Sequence, residues 1–174
     1  MTIPTKTLYD GRVIKLNLEQ VELPNGQQCE LEIIHHPGGV GILALDRQQR
    51  ICLLRQFRHA LAGWLWEIPA GKREPGEAPI NTAARELMEE AGMQATELVA
   101  LGEMVPSPGV LTEVVHLYLA TALTPVQQAH EPHEVIEVHW LEKAKVETMV
   151  RAGEITDAKT VCALYYWSLL VSNG

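Results

Sequence analysis

Three glutamates lie close together in one short segment of the chain. Glu86, Glu89 and Glu90 are spaced at i, i+3 and i+4, so their carboxylates lie side by side if the segment is helical. Carboxylates this close repel one another unless a cation lies among them, and their oxygens are ligands that Mg²⁺ prefers. The spacing predicts a divalent-metal site, with solvated surface carboxylates as the alternative.

The neighbouring residues predict the helix that positions these glutamates. Pro79 suits a first helical position and Gly92 a C-terminal cap, which bounds the helix at both ends. Apolar residues recur at helical spacing and are expected to pack inward: Ile80, Ala83, Ala84, Leu87, Met88 and Ala91. The glutamates are therefore expected on the opposite face.

The segment before the helix, residues 66–76, predicts a tight loop because it is rich in turn residues. Glu77 in the loop and Arg85 on the helix carry opposite charges that could hold the two in register. A surface helix needs neither feature, so both favour the metal site over solvated carboxylates.

The composition is that of one globular domain of 174 residues, 47% hydrophobic and 21% charged. A net charge of −8 without a basic stripe argues against a nucleic-acid polymer as partner. No apolar stretch approaches the ~20 residues that cross a membrane, and residues 1–12 lack the apolar core of a secretion signal. The cysteines are odd in number and scattered, which favours reduced thiols in a cytoplasm.

Alternating apolar residues predict antiparallel strands within residues 7–34. Further strands are predicted at residues 40–45, 51–54, 98–103, 114–120 and 135–141. Helices are expected at about 142–152 and 157–171, the second with Val161, Leu164, Tyr165 and Leu169 on one side. Strands around a central helix, with helices at the end, predict an α+β (mixed α/β) fold.

The segment as a whole resembles the Nudix box, the signature of the Nudix hydrolases. The residues that match its fixed positions are Gly71, Glu77, Arg85, Glu86, Leu87, Glu89, Glu90, Gly92 and Met93. The resemblance implies an α/β/α sandwich that hydrolyses nucleoside diphosphates linked to another moiety and needs a divalent cation. It implies that Glu86 and Glu90 bind Mg²⁺ or Mn²⁺ directly, with Glu89 as a further ligand or catalytic helper. It also implies that the backbone carbonyl of Ala70 joins them and that Glu77 and Arg85 brace the loop at Gly71.

The wider chain is similar to the ADP-ribose pyrophosphatases of that family. The segments that carry this likeness are 53–60, 66–72 and 153–167, together with Pro108. The likeness implies that N-terminal strands at 1–37 help to build a homodimer and precede a hydrolase domain at 38–174. It implies a nucleoside diphosphate sugar as substrate, above all ADP-ribose, cleaved to AMP and ribose 5-phosphate.

Charged residues outside the box are candidates for binding this substrate. Arg55 and Arg58 end a strand expected to point toward the site, where a guanidinium fork suits pyrophosphate oxygens. Surface salt bridges are the alternative for each. Glu67 lies in an apolar run and needs a partner, which the substrate or a site residue would supply. Glu113, in the loop after Gly109, is a further candidate for a polar contact.

A polar loop at residues 127–134 offers two candidates for catalysis. Similar enzymes draw from this loop a glutamate that orients or deprotonates the attacking water. Glu134 and Glu131 both qualify, with Glu134 preferred and solvated loop acids as the alternative. His130 and His133 lack the cysteine partners or further well-spaced pair that would favour zinc.

Two rival functions remain open from the sequence. One is the same chemistry on GDP-mannose, another sugar nucleotide or a dinucleoside polyphosphate, because the base pocket has no recognisable pattern. The other is a non-catalytic module that senses ADP-ribose. Such modules often lose box glutamates, and none is lost here, so the sequence favours an enzyme.

Overall fold

The computed structural model describes residues 5–130 and 134–172. Its strands are β1 Thr5–Asp10, β2 Lys15–Glu22, β3 Gln28–His35, β4 Gly39–Ala44, β5 Ile51–Arg58, β6 Gly63–Glu67, β7 Ala70–Lys72, β8 Met93–Met104, β9 Val115–Pro125 and β10 Ile136–Leu141. Its helices are α1 Pro79–Ala91, α2 Lys143–Arg151 and α3 Ala158–Ser172, with a short 3₁₀ helix at His59–Leu61.

The strands form three sheets, with orders β1-β2-β3, β10-β5-β6 and β7-β4-β9-β8. Strands β4 and β9 pair in parallel, whereas the other pairings in the three sheets are antiparallel. The third sheet is therefore mixed, as the α+β (mixed α/β) prediction requires. Among the described residues, none of the helices has the length and apolar character that crossing a membrane requires.

Two apolar cores lie on opposite sides of the central strands. In β5, Ile51 and Leu53 belong to one core, while Cys52 and Leu54 belong to the other. Successive strand residues point to opposite faces, so a strand covered on both faces reads as a continuous apolar run. Helices α2 and α3 close the first core and α1 closes the second. The predicted three-layer α/β/α sandwich is confirmed.

The sheet of β1, β2 and β3 stands apart from both cores, and every residue of β1 is exposed. Backbone hydrogen bonds join its last strand to the loop before β9, from Ile34 N to Val110 O and from Thr112 N to Ile34 O. The chain itself thus leaves much of this small sheet uncovered.

Helix α1 differs from the prediction in which side chains it buries. Glu86 and Glu90 are buried, while Ile80, expected inside, is 45% exposed. The buried stripe runs through positions 83, 86, 87, 90 and 91, which is the i, i+3, i+4, i+7, i+8 pattern of one helix face. Placing all three glutamates opposite the apolar face was therefore wrong, because two of them belong to that face.

The segment at residues 66–76 is also more regular than the predicted loop. Glu67 ends β6, and β7 at Ala70–Lys72 pairs antiparallel with β4. Only residues 73–78 form the loop that enters α1. Turn-rich composition concealed β7 because a strand of three residues is too short to show alternation.

Helix α3 exposes three of the four apolar residues grouped on one side by their spacing, while the fourth, Leu164, packs against the first core. Val161, Tyr165 and Leu169 are exposed, whereas the buried residues are Thr160, Ala163 and Trp167. The helix is apolar nearly all around, so apolar spacing alone could not select the buried face.

Candidate active site

A cavity of about 620 Å³ opens beside the buried glutamates of α1. Most of the residues predicted from the sequence line it together: Arg58, Ala70, Gly71, Arg85, Glu86, Glu89, Glu90, Glu113 and Glu134. They come from β5, β7, α1 and two loops, so the fold rather than local sequence assembles them. Arg55 is not part of this lining, and Glu131 lies outside the described residues.

Strand β7 presses its backbone against two carboxylates of α1. The amide of Ala70 donates a hydrogen bond of 2.7 Å to Glu90 Oε2. A β-carbon built on Gly71 would clash with the carboxylate of Glu86, so glycine is needed for this close approach. The glycine and the glutamates of the box therefore lie together because β7 and α1 are in contact.

The same packing perturbs both buried carboxyl groups. Burial raises the pKa of Glu90 to about 8, and the charges of Glu86 and Glu134 add to this against the hydrogen bond from Ala70. Burial also raises the pKa of Glu86, reinforced by Glu89 and Glu134 and opposed by Arg85. Carboxyl groups held in mutual repulsion at one end of a cavity favour a cation there.

Arg85 lies at the centre of the acidic cluster. Its Nη1 donates to Glu86 Oε1 at 2.7 Å and to Glu89 Oε2 at 2.9 Å. Its Nε and Nη2 each lie 3.2 Å from a carboxylate oxygen of Glu77. The hydrogen bonds from Arg85 lower the pKa of Glu77 to about 2. The loop before α1 is thus tied to the helix by the predicted pair.

The described residues contain no group of three His, Cys, Asp or Glu side chains that converges closely enough to hold a metal ion as it stands. Arg85 bridges Glu86 and Glu89, so an ion bound by those oxygens would compete with the guanidinium. The donor chemistry still fits a hard divalent cation, because burial and neighbouring carboxylates raise the pKa of both Glu86 and Glu90.

Arg58, which lines the cavity, pairs with the buried carboxylate of Glu67. Glu67 is only 1% exposed, and its two oxygens accept hydrogen bonds from Arg58 Nε at 2.6 Å and Nη2 at 2.9 Å. The partner that Glu67 needs is therefore Arg58, joined by Lys159. Burial would raise the pKa of Glu67, but the hydrogen bonds and charges of Arg58 and Lys159 outweigh it and lower the pKa.

The remaining candidates take different positions. Glu113 lies on the cavity, with Oε1 3.3 Å from Nδ1 of His36. Arg55 instead lies over the ring of Trp64, 4.9 Å from its centroid, and 3.4 Å from Glu137. Within this chain Arg55 is thus separated from the acidic cluster.

Lys159 was not recognised in the sequence as a site residue. It lies at the start of α3, 92 positions from Glu67, and lines the same cavity. A single lysine near a helix start has no spacing that reveals such a contact. Asp157, the residue before α3, accepts the Thr160 amide at 3.0 Å and also lines the cavity.

Comparisons with known proteins show which family this chain resembles. A family model described as the NUDIX domain matches residues 35–164. An ADP-ribose pyrophosphatase of Bacillus subtilis is 40% identical over 170 residues, covering 97% of this chain and 92% of that protein. A methanol dehydrogenase activator of Bacillus methanolicus is 38% identical over the same shares of both chains.

A solved structure titled as an ADP compounds hydrolase has a TM-score of 0.84 at 20% identity, covering 99% of this chain and 94% of that one. A similarity at 20% identity supports the fold alone, and the α/β/α sandwich of this chain agrees with that fold. The family match spans most of the chain and includes the whole acidic helix and its glycine. This chain therefore belongs to the Nudix family and is a Nudix hydrolase.

Proposed function

We propose that this hydrolase cleaves the pyrophosphate bond of a nucleoside diphosphate sugar, with ADP-ribose giving AMP and ribose 5-phosphate. One observation carries the proposal: the buried residues Glu86 and Glu90 line the same cavity as Arg58. A pyrophosphate group is negatively charged. A cation held by the two carboxylates and the guanidinium of Arg58 would both bind its oxygens. The similarity to an ADP-ribose pyrophosphatase supports the choice of substrate.

Each residue has an expected role in the reaction. Glu86, Glu89, Glu90 and the carbonyl of Ala70 would hold Mg²⁺ or Mn²⁺. Such an ion, when bound, would supply Lewis-acid chemistry and offset the negative charge that develops in the transition state. Arg58 would bind the pyrophosphate, and Glu113 would add a polar contact.

Glu134 would orient the attacking water and accept its proton. The hydroxyl then adds to one phosphorus, the P–O bond to the bridging oxygen breaks, and a proton reaches the leaving phosphate. Glu134 lines the cavity, and its charge raises the pKa of Glu86 and Glu90, which supports its nearness to them.

The deciding experiment incubates the protein with Mg²⁺ and a panel of substrates, with products identified by chromatography. The panel holds ADP-ribose, GDP-mannose, UDP-glucose, NADH and diadenosine polyphosphates. We expect AMP and ribose 5-phosphate from ADP-ribose at the highest kcat/KM. Preference for GDP-mannose would keep the chemistry and change the substrate. Binding of ADP-ribose without hydrolysis of any compound would favour a sensor instead.

Glu90→Gln tests the acidic wall directly. We expect kcat to fall by at least about 100-fold, because a neutral amide binds a hard cation far less well than a carboxylate. Glu154→Gln, an exposed acid on the α2–α3 loop, is the matched control and should leave kcat unchanged. A fully active Glu90→Gln enzyme would remove Glu90 from the metal site.

A second candidate function comes from the relative named as a methanol dehydrogenase activator. Adding the chain to a methanol dehydrogenase and measuring alcohol oxidation tests it. If the wild-type protein activates the enzyme and Glu90→Gln does not, activation depends on the hydrolytic site. If both activate equally, the effect is a binding function of another surface.

The N-terminal strands within 1–37 are proposed to build a homodimer, with residues 38–174 as the hydrolase domain. A sheet of three strands is marginally stable unless one face is packed. Here β1 is exposed along its whole length, and Leu8, Tyr9 and Leu31 are exposed apolar side chains of the sheet. A second copy of the chain would cover them.

We also place the protein in the cytoplasm. Cys29, Cys52 and Cys162 are free thiols, and Cys52 is fully buried. Reduced cysteines are ordinary in that compartment, whereas secreted domains pair theirs. The acidic net charge of −8 supports a small-molecule substrate rather than a nucleic-acid polymer.

A further inference from the structure

Four charged side chains form a continuous network beside the cavity: Arg58, Glu67, Asp157 and Lys159. Arg58 contacts Glu67 through two hydrogen bonds, and Lys159 forms ion pairs with both Glu67 and Asp157. The Lys159–Asp157 distance is 2.9 Å. Two cations thus balance two carboxylates, and three of the four residues line the cavity.

The four side chains lie at different depths. The side chain of Arg58 is 40% exposed, that of Lys159 is 15% exposed and that of Glu67 is 2% exposed. Arg58 is therefore the more exposed of the two cations. Nε and Nη2 of Arg58 both bond to Glu67, so the orientation of the guanidinium depends on where Glu67 is held.

Lys159 is itself fixed by the start of α3. Asp157 accepts the amide of Thr160 at 3.0 Å and its hydroxyl at 2.5 Å. The hydroxyl oxygen of Thr160 in turn accepts the amide of Ile68 at 2.9 Å. The first turn of α3 is thus tied to the residue that follows Glu67, and Lys159 reaches Glu67 from a rigid element.

A buried carboxylate with one cationic partner is less well held than one with two. Without Lys159, Glu67 would depend on Arg58 alone, and burial would favour its neutral form. A protonated or displaced Glu67 would no longer hold both edges of the guanidinium. The consequence would be felt at Arg58, which lines the cavity and is more exposed than Lys159.

We propose that Lys159 is a positioning residue, which orients Arg58 through Glu67 and so sets the affinity for the pyrophosphate group of the substrate. The inference rests on the proposed function, in which Arg58 binds that group. Because Lys159 acts on binding and not on the water or the metal, its loss changes KM and leaves kcat nearly unchanged.

The test is a double-mutant cycle on hydrolysis of ADP-ribose with Mg²⁺. We expect Lys159→Met to raise KM by about tenfold with kcat within about threefold of wild type, and Lys159→Arg to restore most of the affinity. Arg58→Met should raise KM at least as much. Adding Lys159→Met to Arg58→Met should change KM by less than about twofold, because the residue it positions is already gone.

Lys145→Met, an exposed lysine on α2, is the matched control and should match wild type. Circular dichroism melting checks each fold, and Lys159→Gln replaces Lys159→Met if the latter unfolds. A fall in kcat at unchanged KM, or independent effects of Lys159 and Arg58, would overturn the inference. If wild type is active and Lys159→Met has the same KM and kcat, this inference alone is wrong. If wild type hydrolyses no nucleoside diphosphate sugar, the proposed function is wrong.

Discussion

A β-carbon built on Gly71 would lie 2.0 Å from the carboxyl carbon of Glu86 and 2.0 Å from one of its oxygens. The backbone of β7 and this buried carboxylate therefore lie so close together that position 71 has no room for a β-carbon while Glu86 stays in place. The first glycine of the box and its first helical glutamate are one unit, because the glycine sets where the carboxylate can lie.

Gly71→Ala is expected to displace Glu86 and to lower kcat by at least about 100-fold. The obstructed atoms are the end of a flexible side chain, so the carboxylate can move aside at little cost in stability. We expect the melting temperature to stay within a few degrees of wild type, about 1 kcal/mol. Steady-state kinetics and thermal melting of the same samples measure the two effects.

Gly109→Ala is the matched control for that substitution. A β-carbon there would meet nothing within 4 Å, so both activity and melting should match wild type. Unchanged kinetics in Gly71→Ala would show that the position of Glu86 does not limit the reaction.

The raised pKa of Glu90 predicts how stability depends on pH in the metal-free protein. The pKa of Glu90 is about 8 in the folded chain, against an ordinary value of 4.5 for a glutamate carboxyl. Between those two pH values the folded state binds a proton that the unfolded state has lost. Stability from this group is fully present below about pH 4.5 and is lost as pH rises through 8. The slope reaches at most about 1.4 kcal/mol per pH unit.

Urea denaturation in EDTA between pH 5 and 9, about the range in which Glu90 titrates, measures this loss. Glu90→Gln cannot ionise, so its stability should fall less steeply with pH than that of wild type. Added Mg²⁺ should stabilise wild type more at the upper end of the range, where the carboxylate is already ionised. Parallel pH curves for the two proteins would contradict the assignment.

The acidic helix was the part of the site that the sequence predicted best. Its two bounds, its glutamates and the pair Glu77–Arg85 follow from local spacing, and the structure contains each of them. The burial of Glu86 and Glu90 could also have been foreseen, since they share the helical stripe of Ala83. The prediction instead followed the general rule that charged side chains face water.

Contacts that depend on the fold could not be predicted. Lys159 and Glu67 are 92 positions apart and meet only because α3 starts beside the end of β6. Arg55 and Arg58 are three positions apart on β5 and therefore point to opposite faces, and only Arg58 lines the cavity. Which face of the strand lies toward the site depends on sheet packing, and local residue types do not encode it.

Arg85→Lys tests the centre of the acidic cluster. The guanidinium contacts Glu77, Glu86 and Glu89 at once, which a single ammonium cannot do with the same geometry. We expect kcat to fall about tenfold and stability by about 1 kcal/mol. Arg151→Lys, in an exposed pair with Glu147, should change neither. An unaltered Arg85→Lys enzyme would mean that charge alone suffices there.

The exposed N-terminal sheet predicts a homodimer, whose mass can be measured. Sedimentation equilibrium should give twice the chain mass of 19.3 kDa. Leu8→Asp combined with Leu31→Asp should shift the protein to monomer, since burying two charges against a second copy is costly. Val99→Asp, an equally exposed apolar site on β8, should stay dimeric. A wild-type monomer at micromolar concentration would remove the proposed role of this sheet.

The choice between Glu134 and Glu131 is open to a paired substitution. The loop that carries them is fastened to the end of α1, by Gln128 Nε2 to Glu90 O at 3.0 Å and by the amide of Ala129 to Glu89 O at 3.2 Å. Glu134 lines the cavity, so Glu134→Gln should lower kcat at least about 100-fold while KM changes less than about threefold. Glu131→Gln should remain within about threefold of wild type. The reverse order of losses would assign the water to Glu131, and equal small losses would mean that neither carboxylate takes its proton.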